Sequence, residues 1–266
     1  MQYKLSVSYE EPEELKAVAP LFAGVGMIRG EYLLRKTGKY ITLPGVQQML
    51  VDYVSRVAEM FHPRNVRYRM IEFPSTWISQ LEGADSDLHE EAYMMGTRGI
   101  RRSLRYPDTF AMEADLITRV SRDYDNLDVL LPFVTNVDEL RTAKKIIRSL
   151  GFRNRIGMMA EIPAAILTLG DFCEEGTDFI TVGLNDLTSF TLATPRDSSI
   201  YNRAHPAVEK LLERVVDVGR RHGVETVLGG DINTETNEMG KKLGFDYITV
   251  FVKDVPSVMP DLALGR

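Results

Sequence analysis

The sequence predicts a single (β/α)8 barrel, on three observations. The chain has 266 residues, close to the length of about 250 residues that is typical of such a barrel. Short apolar runs alternate with longer amphipathic stretches, which is the pattern of parallel βα units. Polar side chains follow several of the short runs, and no linker rich in Ser, Gly or Pro divides the chain. We therefore expect one domain over residues 1–266, with its functional site at the carboxyl ends of the strands.

Eight short runs of β-branched and other apolar residues are the candidate strands. They are Tyr3–Val7, Gly24–Ile28, Val66–Met70, Val129–Phe133, Arg155–Ala160, Phe179–Val182, Thr226–Leu228 and Tyr247–Val250. Longer segments between them carry apolar residues at helical spacing, which predicts helices that pack their apolar faces on the outside of the barrel. They are Pro44–Phe61, Ala111–Asp123, Val137–Leu150, Pro206–His222 and Glu235–Leu243.

Composition argues against several classes of protein. The formal net charge of −6, the pI of about 5.4 and the lack of a basic block give no indication of a surface for nucleic acid or anionic membranes. The N-terminus does not resemble a secretion signal, and no stretch approaches the ~20 apolar residues of a membrane span. We expect a cytoplasmic protein. Cys173 is the single cysteine, which excludes an intrachain disulfide or a thiolate metal cage.

Two carboxylates at strand ends predict a metal site. Glu161 lies in MMAEIPAA and Asp186 in ITVGLNDLTSF, each after an apolar run. The carboxyl ends of neighbouring strands in a barrel meet at one face, so we expect the two side chains to lie close together. Mg²⁺ takes oxygen ligands, usually one or two carboxylates with water or substrate oxygens. The alternative is that both residues cap the helices that follow.

Four arginines lie near strand ends or in βα loops, namely Arg29, Arg69, Arg98 and Arg196. A guanidinium group binds phosphate or carboxylate oxygens through two parallel hydrogen bonds. Four such groups beside a metal suit a substrate that carries both a carboxylate and a phosphate. The alternative is surface ion pairing, because Glu31, Glu72 and Asp197 lie close to these arginines in the sequence.

Seven segments occur in the order and with the spacing of one known family. They are GVGMIRGEYLL, VRYRMIEFPSTWISQLEGAD, EEAYMMGTRGIR, LLPFVTNVDEL, MAEIPAAIL, VGLNDLTSFTLATPRDSS and HPAVEKLLERV. Together they resemble the C-terminal phosphoenolpyruvate/pyruvate-binding TIM barrel of phosphoenolpyruvate synthase, pyruvate phosphate dikinase and Enzyme I of the sugar phosphotransferase system. The resemblance covers nearly the whole chain.

The resemblance implies a role for each candidate site residue. Glu161 and Asp186 would ligate Mg²⁺, with Mn²⁺ as an alternative, and Asn185 would contact the phosphate. Arg29, Arg69, Arg98 and Arg196 would hold the phosphate and carboxylate of the substrate. A metal beside these arginines, with Arg69 and Arg98 as catalytic groups, would stabilise the enolate oxygen of enolpyruvate as its negative charge grows.

One departure from the family pattern concerns the proton donor. Near the C-terminus the family carries a Cys-Gly-Glu or Cys-Gly-Gln segment whose thiol protonates enolpyruvate, whereas this chain reads VLGGDIN, with Gly229 at the cysteine position. Glycine carries no proton, so protonation to pyruvate is expected to be impaired. Asp231 is the nearest replacement acid and base. Its alternative role is that of a turn or helix N-cap residue.

A second departure concerns partners. The chain contains neither a recognisable ATP-binding segment nor a phosphohistidine motif, so we do not expect a complete synthase. Three functions stay open: an Mg²⁺-dependent enzyme of enolate chemistry on phosphoenolpyruvate, pyruvate or a related 2-oxo acid, acting at C3 or phosphorus; a phosphotransfer subunit that works with a separate phosphohistidine protein; and a regulator that binds without turnover. The resemblance also implies a homodimer.

Overall fold

Eight parallel strands close into a barrel in which every strand pairs with its neighbours in chain order, and β8 pairs with β1. This architecture is that of a computed structural model, which describes residues 2–8, 10–84 and 95–259. The strands are β1 (Gln2–Val7), β2 (Val25–Arg29), β3 (Val66–Arg69), β4 (Leu127–Leu131), β5 (Ile156–Ala160), β6 (Phe179–Gly183), β7 (Glu225–Gly229) and β8 (Tyr247–Phe251). The (β/α)8 barrel predicted from the sequence is confirmed.

Helices follow the strands and pack around the barrel. They are α1 (Pro12–Leu15), α2 (Gly30–Thr37), α3 (Pro44–Phe61), α4 (Ser75–Ile78), α5 (Ile100–Arg105), α6 (Pro107–Asp123), α7 (Val137–Ser149), α8 (Pro163–Leu167), α9 (Leu169–Glu174), α10 (Leu184–Leu192), α11 (Pro206–His222), α12 (Thr234–Leu243) and α13 (Val255–Val258). The five predicted helices are present, but α6 begins at Pro107 instead of Ala111, because proline is well suited to the first helical position. Within the described ranges, no helix has the length and apolar character needed to cross a membrane.

The fourth strand ends earlier than the sequence predicts. The expected strand ran to Phe133, whereas β4 ends at Leu131. Pro132 has no N–H for the strand ladder, and Phe133 has a φ of 58°, in the left-handed region. The chain therefore turns out of the sheet, and the Phe133 N–H donates to Glu161 Oε1 at 2.8 Å instead of to a strand.

The interior of the barrel is filled in two layers below its carboxyl end. A buried apolar layer consists of Met27, Leu130, Met159 and Phe179. Nearer the amino ends of the strands lies a group of charged side chains that we call the floor cluster, consisting of Lys4, Arg67 and Glu225. Glu225 Oε1 accepts from Lys4 Nζ at 2.9 Å and also from Arg67 Nη2, and the Arg67 guanidinium lies 3.8 Å from the centre of the Phe179 ring.

Asparagine side chains cap two of the helices that follow strands. Asn136 Oδ1 accepts from the Glu139 N–H at the start of α7, and Asn233 Oδ1 accepts from the Thr236 N–H at the start of α12. In each case the third helical residue also bonds back to the cap backbone, which completes a capping box. The cap of α12 is therefore Asn233, so the N-cap alternative for Asp231 is wrong.

Candidate active site

The carboxyl ends of the strands surround a cavity of about 1040 Å³. All residues that the sequence indicated for the site line it, including the glycine at the expected cysteine position. They are Arg29, Arg69, Arg98, Glu161, Asn185, Asp186, Arg196, Gly229 and Asp231. The fold thus brings together side chains that are spread over some 200 residues of sequence.

The two carboxylates lie at the buried end of this cavity. Glu161 directly follows β5, is 1% exposed, and is held by the N–H of Phe133. Asp186 lies in the first turn of α10, where its Oδ2 accepts from Arg196 Nη2 at 2.8 Å. The N-caps of α8 and α10 are Ile162 and Gly183, so the helix-cap alternative for the carboxylates is wrong.

The electrostatics of this pair favour a bound cation. Burial, together with the charges of Asp186 and Glu72, raises the pKa of Glu161 well above its ordinary value. Asp186 Oδ1 is buried and has no hydrogen-bond partner among the described residues. Two buried carboxylates, one with an unused oxygen, fit the ligand set of Mg²⁺, which completes its shell with water or ligand oxygens. Within residues 2–8, 10–84 and 95–259, no group of three or more His, Cys, Asp or Glu is placed to hold a metal, so an all-protein cage is not present there.

Arg69 and Arg98 are buried and share one carboxylate, that of Glu72. Arg69 Nη2 lies 3.3 Å from Glu72 Oε2 and also donates to Glu31. Arg98 Nε donates to Glu72 Oε1 at 2.6 Å, and its guanidinium stacks 4.0 Å from the centre of the Phe133 ring. The ion pairs that the alternative interpretation expected at the surface therefore lie inside the barrel mouth, where they fix the two guanidinium groups.

Arg98 belongs to the segment EEAYMMGTRGIR, only part of which the structure describes. Residues 90–94 of EEAYMMGTRGIR lie outside the described residues, whereas Arg98 lies within them. Its Nη1 is 3.9 Å from Asp186 Oδ1, which places it between the Glu72 carboxylate and the candidate metal ligand. Arg98 is thus positioned to contact an anion bound at the metal.

Arg29 and Arg196 lie on opposite sides of the cavity. Arg29 ends β2, donates from Nε to Ser8 Oγ at 2.9 Å, and stacks between the rings of Tyr32 and Phe251 at 4.4 and 4.8 Å. Arg196 pairs with Asp186 and not with its sequence neighbour Asp197, and its side chain is 45% exposed. Of the two, Arg196 is therefore the one that contacts a candidate metal ligand directly.

Asp231 is hydrogen-bonded to Asn185, another candidate residue of the site. Asn185 Nδ2 donates to Asp231 Oδ2 at 2.9 Å, and Arg203 Nη2 lies 3.6 Å from the same oxygen. The Asp231 side chain is about half exposed. Gly229, two residues earlier, ends β7 and pairs with Gly183 of β6. Side-chain volume is thus missing where two neighbouring strands enter the cavity.

The sequence indicated Glu31 and Glu72 only in the alternative of surface ion pairing, and it did not indicate Glu113. Glu113, on α6, accepts from the Tyr68 hydroxyl at 2.9 Å and from the Ile71 N–H at 2.8 Å, which fixes the start of the loop that carries Glu72. Burial raises the pKa of Glu113 to about 8. Glu31 and Glu72 lie just after strand ends, and this position could have indicated that they belong to the site. Glu113 lies in the middle of a helix, and no sequence pattern connects it with the site.

The charges at the deep end of the cavity nearly cancel. The site contains four guanidinium groups and four buried carboxylates, although Arg29 bonds a hydroxyl and not one of these carboxylates. The two sets are Arg29, Arg69, Arg98 and Arg196, and Glu31, Glu72, Glu161 and Asp186. A divalent cation added to this set leaves an excess of positive charge, which an anionic ligand with two or more negative charges would neutralise.

Comparison with known proteins agrees with this geometry. Residues 2–263 match the domain family described as the PEP-binding domain of PEP-utilising enzymes. A probable phosphoenolpyruvate synthase of Pyrococcus abyssi is 35% identical over 265 residues, which cover 92% of this chain and 32% of that protein. A phosphoenolpyruvate-dependent phosphotransferase system protein of Salmonella typhimurium is 28% identical, over 89% of this chain and 32% of its own length. The chain belongs to the PEP-utilising enzyme family, and it spans about a third of the length of these relatives.

A solved structure shows the same fold at low identity. The protein CitE of Mycobacterium tuberculosis, in complex with magnesium and acetate, superposes with a TM-score of 0.56 over 100% of this chain and 92% of its own, at 11% identity. At that identity the likeness establishes the barrel alone. The family assignment therefore depends on the sequence match.

Proposed function

We propose that this chain is an Mg²⁺-dependent enzyme that binds phosphoenolpyruvate, pyruvate or a related 2-oxo acid and stabilises its enolate, for bond making or breaking at C3 or at phosphorus. Glu161 and Asp186 would hold the metal, which supplies Lewis-acid stabilisation of the enolate oxygen. The observation that carries the proposal is the position of buried Asp186 beside Arg98 and Arg196, together with the electrostatic interaction between Asp186 and buried Glu161. The family match and the magnesium in the CitE complex also support it.

The groups of the chain itself have separable tasks in this reaction. Arg69 and Arg98 are locked by Glu31 and Glu72, so their donors do not have to reorganise as negative charge develops. Arg29 and Arg196 would orient the phosphate or carboxylate, with Asn185 at the phosphate. Asp231 would move a proton at C3 in place of the family cysteine, since Gly229 carries no proton donor.

The second candidate is a phosphotransfer subunit with a separate phosphohistidine partner. The match to a phosphoenolpyruvate-dependent phosphotransferase system protein favours it. Gly229 counts against it, because the half-reaction that makes pyruvate needs a proton donor. A regulator that only binds phosphoenolpyruvate is the third candidate, and nothing in the site specifically favours it.

Proton NMR of pyruvate in D₂O tests the proposal. We expect the methyl signal to decay in the presence of the protein and Mg²⁺, and to persist when the metal is chelated. Glu161→Gln should lose the exchange and Mg²⁺-dependent binding of phosphoenolpyruvate, whereas the exposed control Glu213→Gln should keep both. The assignment of Asp231 predicts at least roughly 100-fold slower exchange in Asp231→Asn, the usual scale of a lost acid–base group.

The outcomes separate the three candidates. Exchange by the isolated chain supports the enzyme. Binding of phosphoenolpyruvate without exchange contradicts the proposal and favours the subunit or the regulator, which addition of a phosphohistidine protein then distinguishes. Undiminished Mg²⁺-dependent binding in Glu161→Gln would show that the metal is held elsewhere.

A further inference from the structure

The cavity extends well beyond the four arginines and the two carboxylates of the deep site. Its volume of about 1040 Å³ is at the upper end of the roughly 300–1,000 Å³ of sites that enclose drug-sized ligands. A three-carbon acid with one phosphate at Glu161 and Asp186 would fill a small part of it. Those carboxylates follow β5 and β6, whereas segments that follow β8, β2 and β3 form another part of the cavity wall.

Part of this wall consists of aromatic rings with cations on them, namely Phe73, Trp77 and Phe251 with Arg35 and Lys253, and we call it the aromatic arc. Over β8, Lys253 Nζ lies 5.6 Å from the centre of the Phe251 ring. Over β2 and β3, the Arg35 guanidinium lies 4.6 Å from the centre of the Trp77 ring, and Trp77 lies 5.6 Å from Phe73. All five residues line the cavity. The arc thus contains two cation–aromatic pairs, of which the Lys253 pair shares the Phe251 ring with Arg29.

The two cations of the arc differ from the arginines of the deep site. Arg29, Arg69, Arg98 and Arg196 each have a hydroxyl or carboxylate partner. Among the described residues, no carboxylate forms an ion pair with Arg35 or Lys253. A guanidinium that stacks on a ring keeps its N–H donors at its edge, where they can take a carboxylate or phosphate through two bonds. Within the part of the chain that the structure describes, Arg35 therefore offers its N–H donors to an anion beside an aromatic wall.

Trp77 is the feature that indicates the shape of the ligand. It is 39% exposed, one of few large apolar side chains with so much open surface. An exposed indole beside a second ring offers a planar apolar face, on which a conjugated or aromatic group stacks favourably. The arc therefore combines a stacking surface with an anion-binding edge.

We propose that the aromatic arc binds a second substrate, an anion on a planar unsaturated or aromatic body, at the same time as the deep site holds the three-carbon acid. The inference rests on the proposed function, because it takes the arginines and carboxylates as the subsite for the three-carbon acid. It adds the chemical class of the co-substrate. Arg35 and Lys253 would hold its charge, and Phe73 and Trp77 its planar body.

Trp77 also provides the readout, because it is the only tryptophan in the chain. Binding of phosphoenolpyruvate with Mg²⁺ is first measured by calorimetry, and both are then kept at saturation so that the deep site is occupied. Phenyl phosphate is titrated as the probe, with inorganic phosphate and phenol as separate controls. We expect a saturable change in Trp77 fluorescence with phenyl phosphate, and at least roughly tenfold weaker binding of either control, since each lacks one of the two contacts.

Two variants decide whether Arg35 is responsible. Arg35→Gln should weaken phenyl phosphate binding by about tenfold or more, the usual effect of a lost charge-assisted hydrogen bond. Lys36→Gln is the matched control, since it removes one positive charge from the same helix, where Lys36 pairs with Glu11. It should change the affinity less than about twofold.

Failure of this inference can be distinguished from failure of the proposed function. If phosphoenolpyruvate binds but phenyl phosphate gives no saturable signal, or if Arg35→Gln and Lys36→Gln behave alike, the co-substrate site is rejected while the deep site stands. If phosphoenolpyruvate itself does not bind with Mg²⁺, the proposed function fails, and with it the premise of a second substrate.

Discussion

At the scale of single residues, the shape of the cavity depends on two facing glycines. Gly183 ends β6 and pairs with Gly229 at the end of β7. A Cβ atom on Gly183 would lie 2.7 Å from Glu161 Cβ, closer than side chains pack. A Cβ atom on Gly229 would lie 3.0 Å from the Val182 carbonyl oxygen and from Thr249 Oγ1, which is tight but less severe. Gly183 is therefore the residue that leaves room for the Glu161 carboxylate.

Gly183→Ala tests this dependence. The added methyl group must displace Glu161, so we expect at least roughly tenfold weaker Mg²⁺-dependent binding of phosphoenolpyruvate, since overpacking shifts neighbouring side chains at a cost of about 1–3 kcal/mol. Gly45→Ala is the control, because a Cβ there would meet no atom within 4 Å. Equal affinities in the two variants, measured by calorimetry, would contradict the role of Gly183.

The sequence predicted the members of the site better than their contacts. Glu161, Asp186 and the four arginines were identifiable because they follow apolar strand runs and match family segments. Their partners were not, since Glu31 and Glu72 look like surface ion pairs until the barrel closes around them. The turn at Phe133 supplies the N–H that holds Glu161, and it depends on a left-handed backbone conformation. The residues of LLPFVTN do not predict that conformation.

At the scale of elements, the loop between β7 and α12 carries the candidate proton donor. Asp231 lies two residues beyond the strand and two before the helix cap Asn233. The capping box at Asn233 fixes the end of the loop, while Asn185 holds Asp231 from the neighbouring unit. The position of Asp231 therefore depends on how α12 begins.

Asn233→Ala should lower stability by about 1 kcal/mol, the usual cost of a lost N-cap. It should also slow the exchange of the pyruvate methyl protons, because the loop that carries Asp231 is no longer fixed at its helix end. Asn136→Ala is the matched control, since it removes the same kind of capping box from α7. Urea unfolding should show similar losses for both variants, and only Asn233→Ala should affect exchange. If Asn136→Ala lost exchange to a comparable degree, the slower exchange of Asn233→Ala would be due to general destabilisation and not to the position of Asp231.

Element type was more predictable than element boundaries. All eight strands were predicted from short apolar runs, because strands buried on both faces need continuous apolar residues. The boundaries moved where local chemistry overrode this pattern, as at Pro132 in β4 and at Pro107 in α6. Proline acts through a missing N–H and a fixed φ, and a hydrophobic pattern does not record either.

At the scale of the whole molecule, the floor cluster links three strands across the barrel. Burial tends to raise the pKa of Glu225, but the charges of Arg67 and Lys4 outweigh this effect and lower it to about 2. Burial and the nearby Arg67 lower the pKa of Lys4 to about 8. The Glu225 carboxylate is thus the counter-ion on which two buried cations depend.

Glu225→Gln should destabilise the barrel by about 3 kcal/mol at pH 7, because it removes the carboxylate that is hydrogen-bonded to buried Arg67 and Lys4. Glu209→Gln breaks a surface ion pair with Lys242 and should change stability by less than about 1 kcal/mol. The pKa of Glu225 is lower in the folded chain than in the unfolded one. Its contribution is therefore complete above the unfolded value of 4.5 and fades as the pH falls toward 2. Urea unfolding of both variants at pH 7 and pH 3.5 measures this, and a pH-independent difference would contradict it.

The floor cluster and the buried apolar residues fill the inside of the barrel, and the cavity lies at the carboxyl ends of the strands. Two molecules held at once, one deep and one on the aromatic arc, would share the opening at that end. The inner molecule would then leave only after the outer one. Binding and release would then follow a strict order, last in and first out, imposed by the shape of the barrel and not by the affinity of either ligand.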